Sequence, residues 1–261
     1  MSDELGRDYI QSIERCILVI KTFTNSKPYL SFTEIATATG LSKPTVRRIL
    51  LTLEHLGYAN SFGTKFCLNP KVLELGYAYL SSQNLPEVAQ PIMEKLTDCL
   101  QESTSLVTLD GSDVVYINRV HRHRITSITL AVGTRLPAHA TSSGHVLLAD
   151  LSEEALARYF KYAELKALTD KTIIDQEALK ARLQHVRIQG WDAVDQELEL
   201  GRRSIAAPIR DTNARVVAAL SFSCGIGERN FEQMKNELLQ PLLEAAEQIS
   251  SALGAKAYSR K

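Results

Sequence analysis

The spacing of apolar side chains divides the chain into stretches of different period. Ile10, Ile13, Ile17, Leu18, Ile20 and Phe23 recur at helical spacing and predict an amphipathic core helix that ends near Asn25 to Pro28. Ser31 followed by Glu34 has the form of a capping box. The short helix it opens, through Ile35 and Ala38, stops at Gly40, the residue type that best takes the left-handed conformation after a helix. Ser42 then caps a second helix with Pro44 in its first turn, where a missing N–H costs little. Along it Val46, Ile49, Leu50, Leu53 and Leu56 form one face, while Pro44, Arg48, Leu51 and His55 fall opposite, with Arg47 on the flank. A short helix, a turn holding glycine and a second helix make a helix-turn-helix. Gly57 ends the second helix, and residues 58–62 and 65–68 flank Gly63 and Thr64 as a small hairpin, the wing of a winged helix.

Further on, Val72, Leu73, Leu75, Tyr77, Ala78 and Leu80 cover more than one face of a linker helix over residues 70–81, which predicts packing on two sides. Asn84, Leu85 and Pro86 break it and mark the domain boundary. A helix over 87–102 follows, with Val88, Ile92, Leu96 and Cys99 as its buried stripe. The period then changes to two: residues 105–109 and 114–119 form a hairpin around Asp110, Gly111 and Ser112, and residues 127–132 continue the β pattern. Helices are predicted over 142–149, 152–160 and 175–189, strands over 191–194, 204–209 and 216–223, and a closing helix over 232–253. The fold class is α+β, divided into a winged helix-turn-helix domain (1–69), a linker helix (70–84) and a second domain (85–261).

At 261 residues with 44% hydrophobic content, the chain is long enough for two ordinary cores. Lys plus Arg and Asp plus Glu both number 30, so any case for a polyanionic partner must be local. Locally it exists: between residues 41 and 66, Lys43, Arg47, Arg48 and Lys65 stand against Glu54 alone. The residues placed to meet double-stranded DNA are Ser31 and Thr33 at the front of the first helix, Ser42, Lys43, Thr45, Arg47 and Arg48 on the second, and Lys65 on the wing. Arginine donates to guanine edges or phosphate, and the wing reaches phosphate or the adjacent minor groove. A competing ion pair of Arg47 with Glu54 would span two turns and is poorly spaced.

Cys16, Cys67, Cys99 and Cys224 are scattered without a Cys-x-x-Cys pair, the pattern of free buried thiols in a reducing cytosol. The acidic amino terminus lacks the apolar core of a secretory signal, and no apolar run is long enough to span a bilayer. The expectation is a cytoplasmic protein with no membrane partner.

In the second domain, Ser142, Ser143 and Gly144 open a helix whose unpaired N–H groups suit a carboxylate. Ser221 and Ser223 share one face of a strand, where their hydroxyls need partners: a polar ligand, the backbone or water. Arg124, Arg135, His139 and Arg203 are further candidates for a carboxylate or phenol, although alternation points Arg203 away from Ser204. His121, Arg122, His123 and Arg124 form a basic loop cluster; its histidines would share a metal only with a third ligand from elsewhere. No metal or cofactor is expected. Ser142 near His139 and His145 combines two catalytic residue types, which leaves a hydrolase as the alternative to a binding domain. There is no Gly-x-Ser-x-Gly elbow, and the reading preferred is not an enzyme.

The segments QSIER (11–15), TEIA (33–36), TGLS (39–42), TVRRIL (45–50) and LEHLG (53–57) resemble the winged helix of the IclR family of bacterial transcription regulators. LAVGTRLPAHATSSG (130–144), DQELELG (195–201) and IAAPI (205–209) resemble its effector-domain signatures, and the first of these is most similar to regulators of protocatechuate, p-hydroxybenzoate and β-ketoadipate-type aromatic catabolism. The resemblance implies a GAF-like effector domain, a central antiparallel sheet covered by helices with a small-molecule pocket on one face. Carried over by position, that pocket is lined by Ile125, Ile128, Ser142, Ser143, Val194, Ser204, Ser221 and Ser223. Some members carry an acid near Val194 and a cysteine at Ser204. Their absence here disfavours a small glyoxylate-like acid and leaves room for an aromatic ring. The implied partners are double-stranded promoter DNA, a small carboxylic-acid effector (aromatic, or alternatively non-aromatic), RNA polymerase, and a second copy in a homodimer or dimer of dimers held through the winged-helix and linker region.

Overall fold

The structure, a computed structural model, describes residues 9–82, 84–122, 130–227 and 229–255. The chain forms two compact units that divide between Ser82 and Gln83.

The first unit has the order α1 (Gln11–Ile20), β1 (Leu30–Ser31), α2 (Phe32–Thr39), α3 (Lys43–His55), β2 (Ala59–Phe62), β3 (Lys65–Leu68) and α4 (Leu73–Ser82), the last preceded by a 3-10 turn over Pro70–Val72. Both predicted caps form. Ser31 and Glu34 close a capping box ahead of α2, Gly40 ends that helix at φ +71°, and Ser42 accepts from the Thr45 N–H ahead of α3. The strands make a three-stranded antiparallel sheet in the order β1-β3-β2. Gly63 takes φ +61° at the first position of the two-residue turn between β2 and β3, where hairpins of this length often need glycine.

Val19, Leu30, Ile35, Val46, Leu50, Leu53, Ala59 and Phe66 are buried as the core of this unit. Two expectations are corrected here. Leu56 is exposed, because α3 ends at His55 and leaves it at the edge of the apolar arc. More consequentially, α1 buries only Val19, with Cys16, Ile20 and Phe23 packed beside it, while Ile10, Ile13 and Ile17 are 61%, 54% and 52% exposed. Of the expected apolar set, Ile20 and Phe23 pack on the core together with Val19 and Cys16, while Ile10, Ile13 and Ile17 are left outside it. On α4, Leu73, Leu75, Tyr77 and Tyr79 are exposed as well.

The second unit runs α5 (Leu85–Leu100), β4 (Thr104–Asp110), β5 (Asp113–Val120), β6 (Arg135–Pro137), a 3-10 turn over Ala138–Ala140, α6 (Ser142–Ala149), α7 (Glu153–Tyr162), α8 (Gln176–Gln189), β7 (Asp192–Asp195), β8 (Arg202–Arg210), β9 (Val216–Gly225) and α9 (Phe231–Ala252). Its six strands form one antiparallel sheet in the order β6-β5-β4-β9-β8-β7. α5 and α9 pack on each other and on the sheet, and α6 packs on β7, β8 and β9 with α8 against it. α4 ends at Ser82 and a new helix begins at Leu85, with Pro86 in its first turn, and α5 buries Leu85, Ala89, Met93, Leu96 and Leu100. Its buried stripe is therefore displaced from Val88, Ile92 and Cys99, because Leu85 and Leu100, outside the apolar set read from sequence, fix the phase. Of the strand expected over 127–132, residues 127–129 lie outside the described residues and 130–132 are not strand; β6 forms the edge beside β5. None of the four cysteines is in a disulfide; only Cys224 is buried and Cys99 is exposed, which corrects the expectation of buried cysteines.

α6 is buried along its whole length. A helix enclosed on every side has no polar face, so its sequence carries no amphipathic pattern. Thr141 is its cap, accepting from the Gly144 N–H at 3.0 Å. Gly144 is required there: a Cβ would lie 2.0 Å from the Ala138 carbonyl oxygen.

Candidate functional site

The cavity in the second unit is built from rows of side chains that cross the sheet in register. Arg119 on β5 is paired with Ser105 on β4, Ser105 with Ser221 on β9, Ser221 with Ala206 on β8, and Ala206 with Asp192 on β7. A second row runs Val194–Ser204–Ser223. Since register partners project to the same face of a sheet, these residues share one surface, and the amino-terminal end of α6 meets it: the Ser142 and Ser204 hydroxyls lie 2.8 Å apart. The enclosed volume is about 350 Å³, also lined by Tyr116, Leu130, Leu136 and Leu198, at the small end of the roughly 300–1,000 Å³ of ligand sites.

Six of the sequence-predicted residues are brought together here: Ser142, Ser143, Val194, Ser204, Ser221 and Ser223. Two are moved elsewhere. Arg135 donates to Asp110 at 2.7 Å and to Asp113 at 3.1 Å, clamping the turn of the β4–β5 hairpin. His139 is buried with its Nε2 3.0 Å from the Lys166 carbonyl oxygen, and burial holds its pKa below the usual imidazole value. Ile125, Ile128 and the loop residues His123 and Arg124 lie outside the described residues. Arg203 borders the cavity, but its guanidinium donates to Asp195 and to the Arg229 carbonyl, each at 2.6 Å.

What sequence reasoning missed is the cationic end. Arg119 and Arg202 both line the cavity, and among the described residues neither has an acidic partner. Arg119 donates to the Ser105 hydroxyl at 3.0 Å. Burial, and behind it the neighbouring Arg202, hold the Arg119 guanidinium below its ordinary pKa, while burial pushes the Tyr116 phenol up. Glu199 reaches the rim but is exposed and makes no ion pair with either arginine. Arg119 escaped because of a β-bulge. Register shifts between Leu106 and Val107, so Val107 opposes Tyr116 while Leu106 opposes Asn118. Strict alternation from Tyr116 would send Arg119 to the far face; the extra residue, Ile117, returns it to the cavity.

Beside the cavity a buried polar cluster anchors α6. His145 and Asp192 are fully buried, with Nδ1 and the carboxylate 2.6 Å apart, and Nε2 reaches the His139 carbonyl at 2.7 Å. Arg182 approaches the other Asp192 oxygen at 2.8 Å. Burial opposes protonation of His145, but the hydrogen-bonded Asp192 carboxylate, with Glu197 and the His139 carbonyl, outweighs it and holds the imidazole above its ordinary value. Burial raises the Glu197 carboxyl. Thr169 and Thr172 donate to the Gln196 and Glu197 carbonyls at 2.7 and 2.6 Å, tying down the loop that supplies Leu198 and Glu199 to the cavity. No group of three His, Cys, Asp or Glu among the described residues is arranged to hold a metal ion.

In the first unit, Thr33, Ser42, Lys43, Arg47 and Arg48 are exposed and Thr45 is half-buried. Among the described residues Lys43, Arg47 and Arg48 have no acidic partner. Glu54 goes elsewhere: it accepts from the Ser61 hydroxyl at 2.5 Å and the Ser61 N–H at 3.1 Å, tying β2 to α3. Ser31 is used in its cap, and Lys65 stands 3.9 Å from Glu34. No described helix is long and apolar enough to cross a membrane.

Comparison with known proteins agrees with this division. The IclR helix-turn-helix domain matches residues 12–61 and the bacterial transcriptional regulator IclR C-terminal domain matches residues 77–251. The Pca regulon regulatory protein of Pseudomonas putida is 43% identical over 247 residues, 94% of this chain and 85% of its own. A Rhodococcus sp. RHA1 transcriptional regulator of known crystal structure superposes with a TM-score of 0.84 at 43% identity, covering 94% of this chain and 99% of that one. An IclR homologue from Microbacterium hydrocarbonoxydans, solved in complex with 4-hydroxybenzoate, superposes with a TM-score of 0.81 at 27% identity, covering 94% of this chain and all (100%) of that one. With a helix-turn-helix unit, an α+β unit enclosing a polar cavity, and both family domains matched in order, the chain belongs to the IclR family and is a DNA-binding transcriptional regulator.

Proposed function

We propose that this regulator responds to a small carboxylic acid, an aromatic one foremost, bound in the cavity of the second unit. The observation that carries the reading is the pair of arginines, Arg119 and Arg202, facing a cavity in which the rim carboxylate, Glu199, makes no ion pair with either. A half-buried guanidinium left unpaired is costly, and an acid supplies the missing partner, often bidentately. The ring then lies among Tyr116, Leu130, Leu136 and Val194. A ring hydroxyl meets Ser142, Ser143, Ser204, Ser221 or Ser223, with the Ser142 and Ser143 N–H groups at the start of α6 behind them. The 4-hydroxybenzoate of the Microbacterium homologue and the role named for the Pseudomonas relative support this class. A second reading, a non-aromatic dicarboxylate, is favoured by there being two arginines rather than one. Calorimetry of the full chain against 4-hydroxybenzoate, protocatechuate and an aliphatic dicarboxylate separates the two; absence of heat with all of them refutes both.

The cavity binds rather than catalyses in this reading. Ser142 is engaged with Ser204, His139 with a carbonyl, and both ring nitrogens of His145 are taken, which leaves no nucleophile–base pair at α6.

On the DNA side, Thr33, Ser42, Lys43, Thr45, Arg47 and Arg48 meet the major groove and its phosphates, with Ser31 and Lys65 at the backbone beside it. Residues 1–69 act as the reading head, 70–84 as the linker and 85–261 as the sensor, in the cytoplasm. The exposed stripes Ile10, Ile13, Ile17 on α1 and Leu73, Leu75, Tyr77 on α4 are the surfaces through which two copies pair, so that two recognition helices sit about 34 Å apart or a multiple of it. Contact with RNA polymerase, and a dimer of dimers, are compatible with this arrangement. Light scattering of an Ile13→Asp, Ile17→Asp variant tests the pairing: it should be monomeric, and an unchanged mass would remove these surfaces from the interface.

A further inference from the structure

The wing carries a feature that phosphate contact does not require. Phe62, the last residue of β2 before the turn, is 59% exposed, and Tyr29, 49% exposed, packs its ring edge-to-face against it with centroids 5.8 Å apart. Two large aromatic rings on the surface of so small a unit represent apolar area left in water, and such patches mark contact sites.

Their position says which contact. Phe62 is the register partner of Lys65, and Lys65 of Ser31, the cap of α2. One residue along, Leu30 and Phe66 turn to the core. The row Ser31, Lys65, Phe62 therefore lies on the outer face of the sheet, running from the front of the helix-turn-helix to the turn of the wing. The Glu54 bonds to Ser61 fix β2 against the recognition helix, so Phe62 keeps a set place relative to it. Tyr29 limits the ring's freedom, and the adjacent Gly63 puts no side chain directly beside the ring to block close approach.

We infer that Phe62 is a minor-groove wedge: when α3 enters the major groove, the wing lays this ring against a base step flanking the half-site and partly unstacks it. Apolar side chains used this way kink the duplex and favour flexible pyrimidine–purine steps. Specificity then extends beyond the bases that α3 touches. The inference rests on the wing facing DNA, as proposed above.

The test uses the full-length protein and a duplex enriched by it from a randomised library, with 2-aminopurine placed in turn at each position flanking the half-site. Wild-type protein should raise fluorescence severalfold at one step. Phe62→Ala should abolish the rise and weaken binding about tenfold without changing the salt dependence, since no phosphate contact is lost, and Phe62→Tyr should retain it. No fluorescence change at any flanking position overturns the wedge, as does a Phe62→Ala variant that loses affinity only in step with a lowered melting temperature. Lys65→Ala is the control for the underlying reading: an unchanged salt slope means the wing is not on DNA at all, whereas a reduced slope without unstacking refutes the wedge alone.

Discussion

Replacing Arg119 by methionine separates a ligand-holding arginine from a structural one. The side chain makes one hydrogen bond to Ser105 and a long contact of 3.5 Å to His121, and no ion pair among the described residues. Methionine keeps most of the apolar stem and removes a charge that burial already disfavours. Loss of a hydrogen bond to a charged group costs about 1.5–3 kcal/mol, which weakens effector affinity roughly 10–150-fold. At an acid concentration of about 100 Kd, wild-type protein gains about 2.7 kcal/mol on binding; after a 100-fold loss the same concentration gives only about 0.4 kcal/mol. In a unit of this size that is a melting shift of roughly 5–10 °C reduced to about 1–2 °C. Differential scanning fluorimetry with and without 4-hydroxybenzoate reads both numbers. The ligand-free melting temperature should stay the same or rise, because an unpaired guanidinium has been removed from a partly buried place. A ligand-free protein that melts much lower, with an unchanged ligand shift, would show that Arg119 serves the fold and not the effector.

Arg48→Ala should weaken DNA binding by about 1–3 kcal/mol if the side chain reads a base, with no change in melting temperature, since the side chain is exposed and has no acidic partner among the described residues; fluorescence anisotropy alongside a thermal melt checks both. Gly144→Ala should prevent stable folding of the second unit, because its Cβ would lie 2.0 Å from a backbone oxygen with no flexible side chain to yield; a soluble variant with unaltered circular dichroism and melting would refute the close approach. The His145 pKa is raised in the folded protein, so its contribution to stability is complete below the unfolded value of 6.5 and is lost as pH rises through the folded value. Melting temperature should therefore fall as pH rises from the unfolded value through the higher folded one, and His145→Gln should flatten that fall while lowering stability overall; an unchanged slope in the variant would exclude His145 as its source.

The elements that were legible in the sequence are those whose signals are local. The capping box at Ser31 and Glu34, Gly40, the cap at Ser42 and the glycine turn at Gly63 each act through neighbouring backbone groups, so their residue types suffice. Burial is less local. Ile10, Ile13 and Ile17 follow helical spacing as well as any core stripe, yet they face outward, because periodicity reports that a face is apolar and not what covers it. In the second unit the serines could be placed together from strand alternation and the family likeness. Arg119 could not, because it is delivered by a bulge that shifts the phase of β5; Arg202 shares the face of Ser204, two residues along β8, but lay outside the strand expected over 204–209. Arg135 and His139 looked suitable by residue type, but their partners, Asp110, Asp113 and the Lys166 carbonyl, come from segments far along the chain that only the fold brings near.

The most direct test is titration of the protein onto its promoter fragment with and without the acid that calorimetry selects, for the wild type and for an Arg119→Met, Arg202→Met variant. We expect the acid to change wild-type DNA affinity or the spacing of protected half-sites, by a coupling of about 1–3 kcal/mol, and to have no effect on the variant, which should still bind DNA as the unliganded wild type does. An acid response of equal size in both proteins would contradict the assignment of this cavity as the effector site.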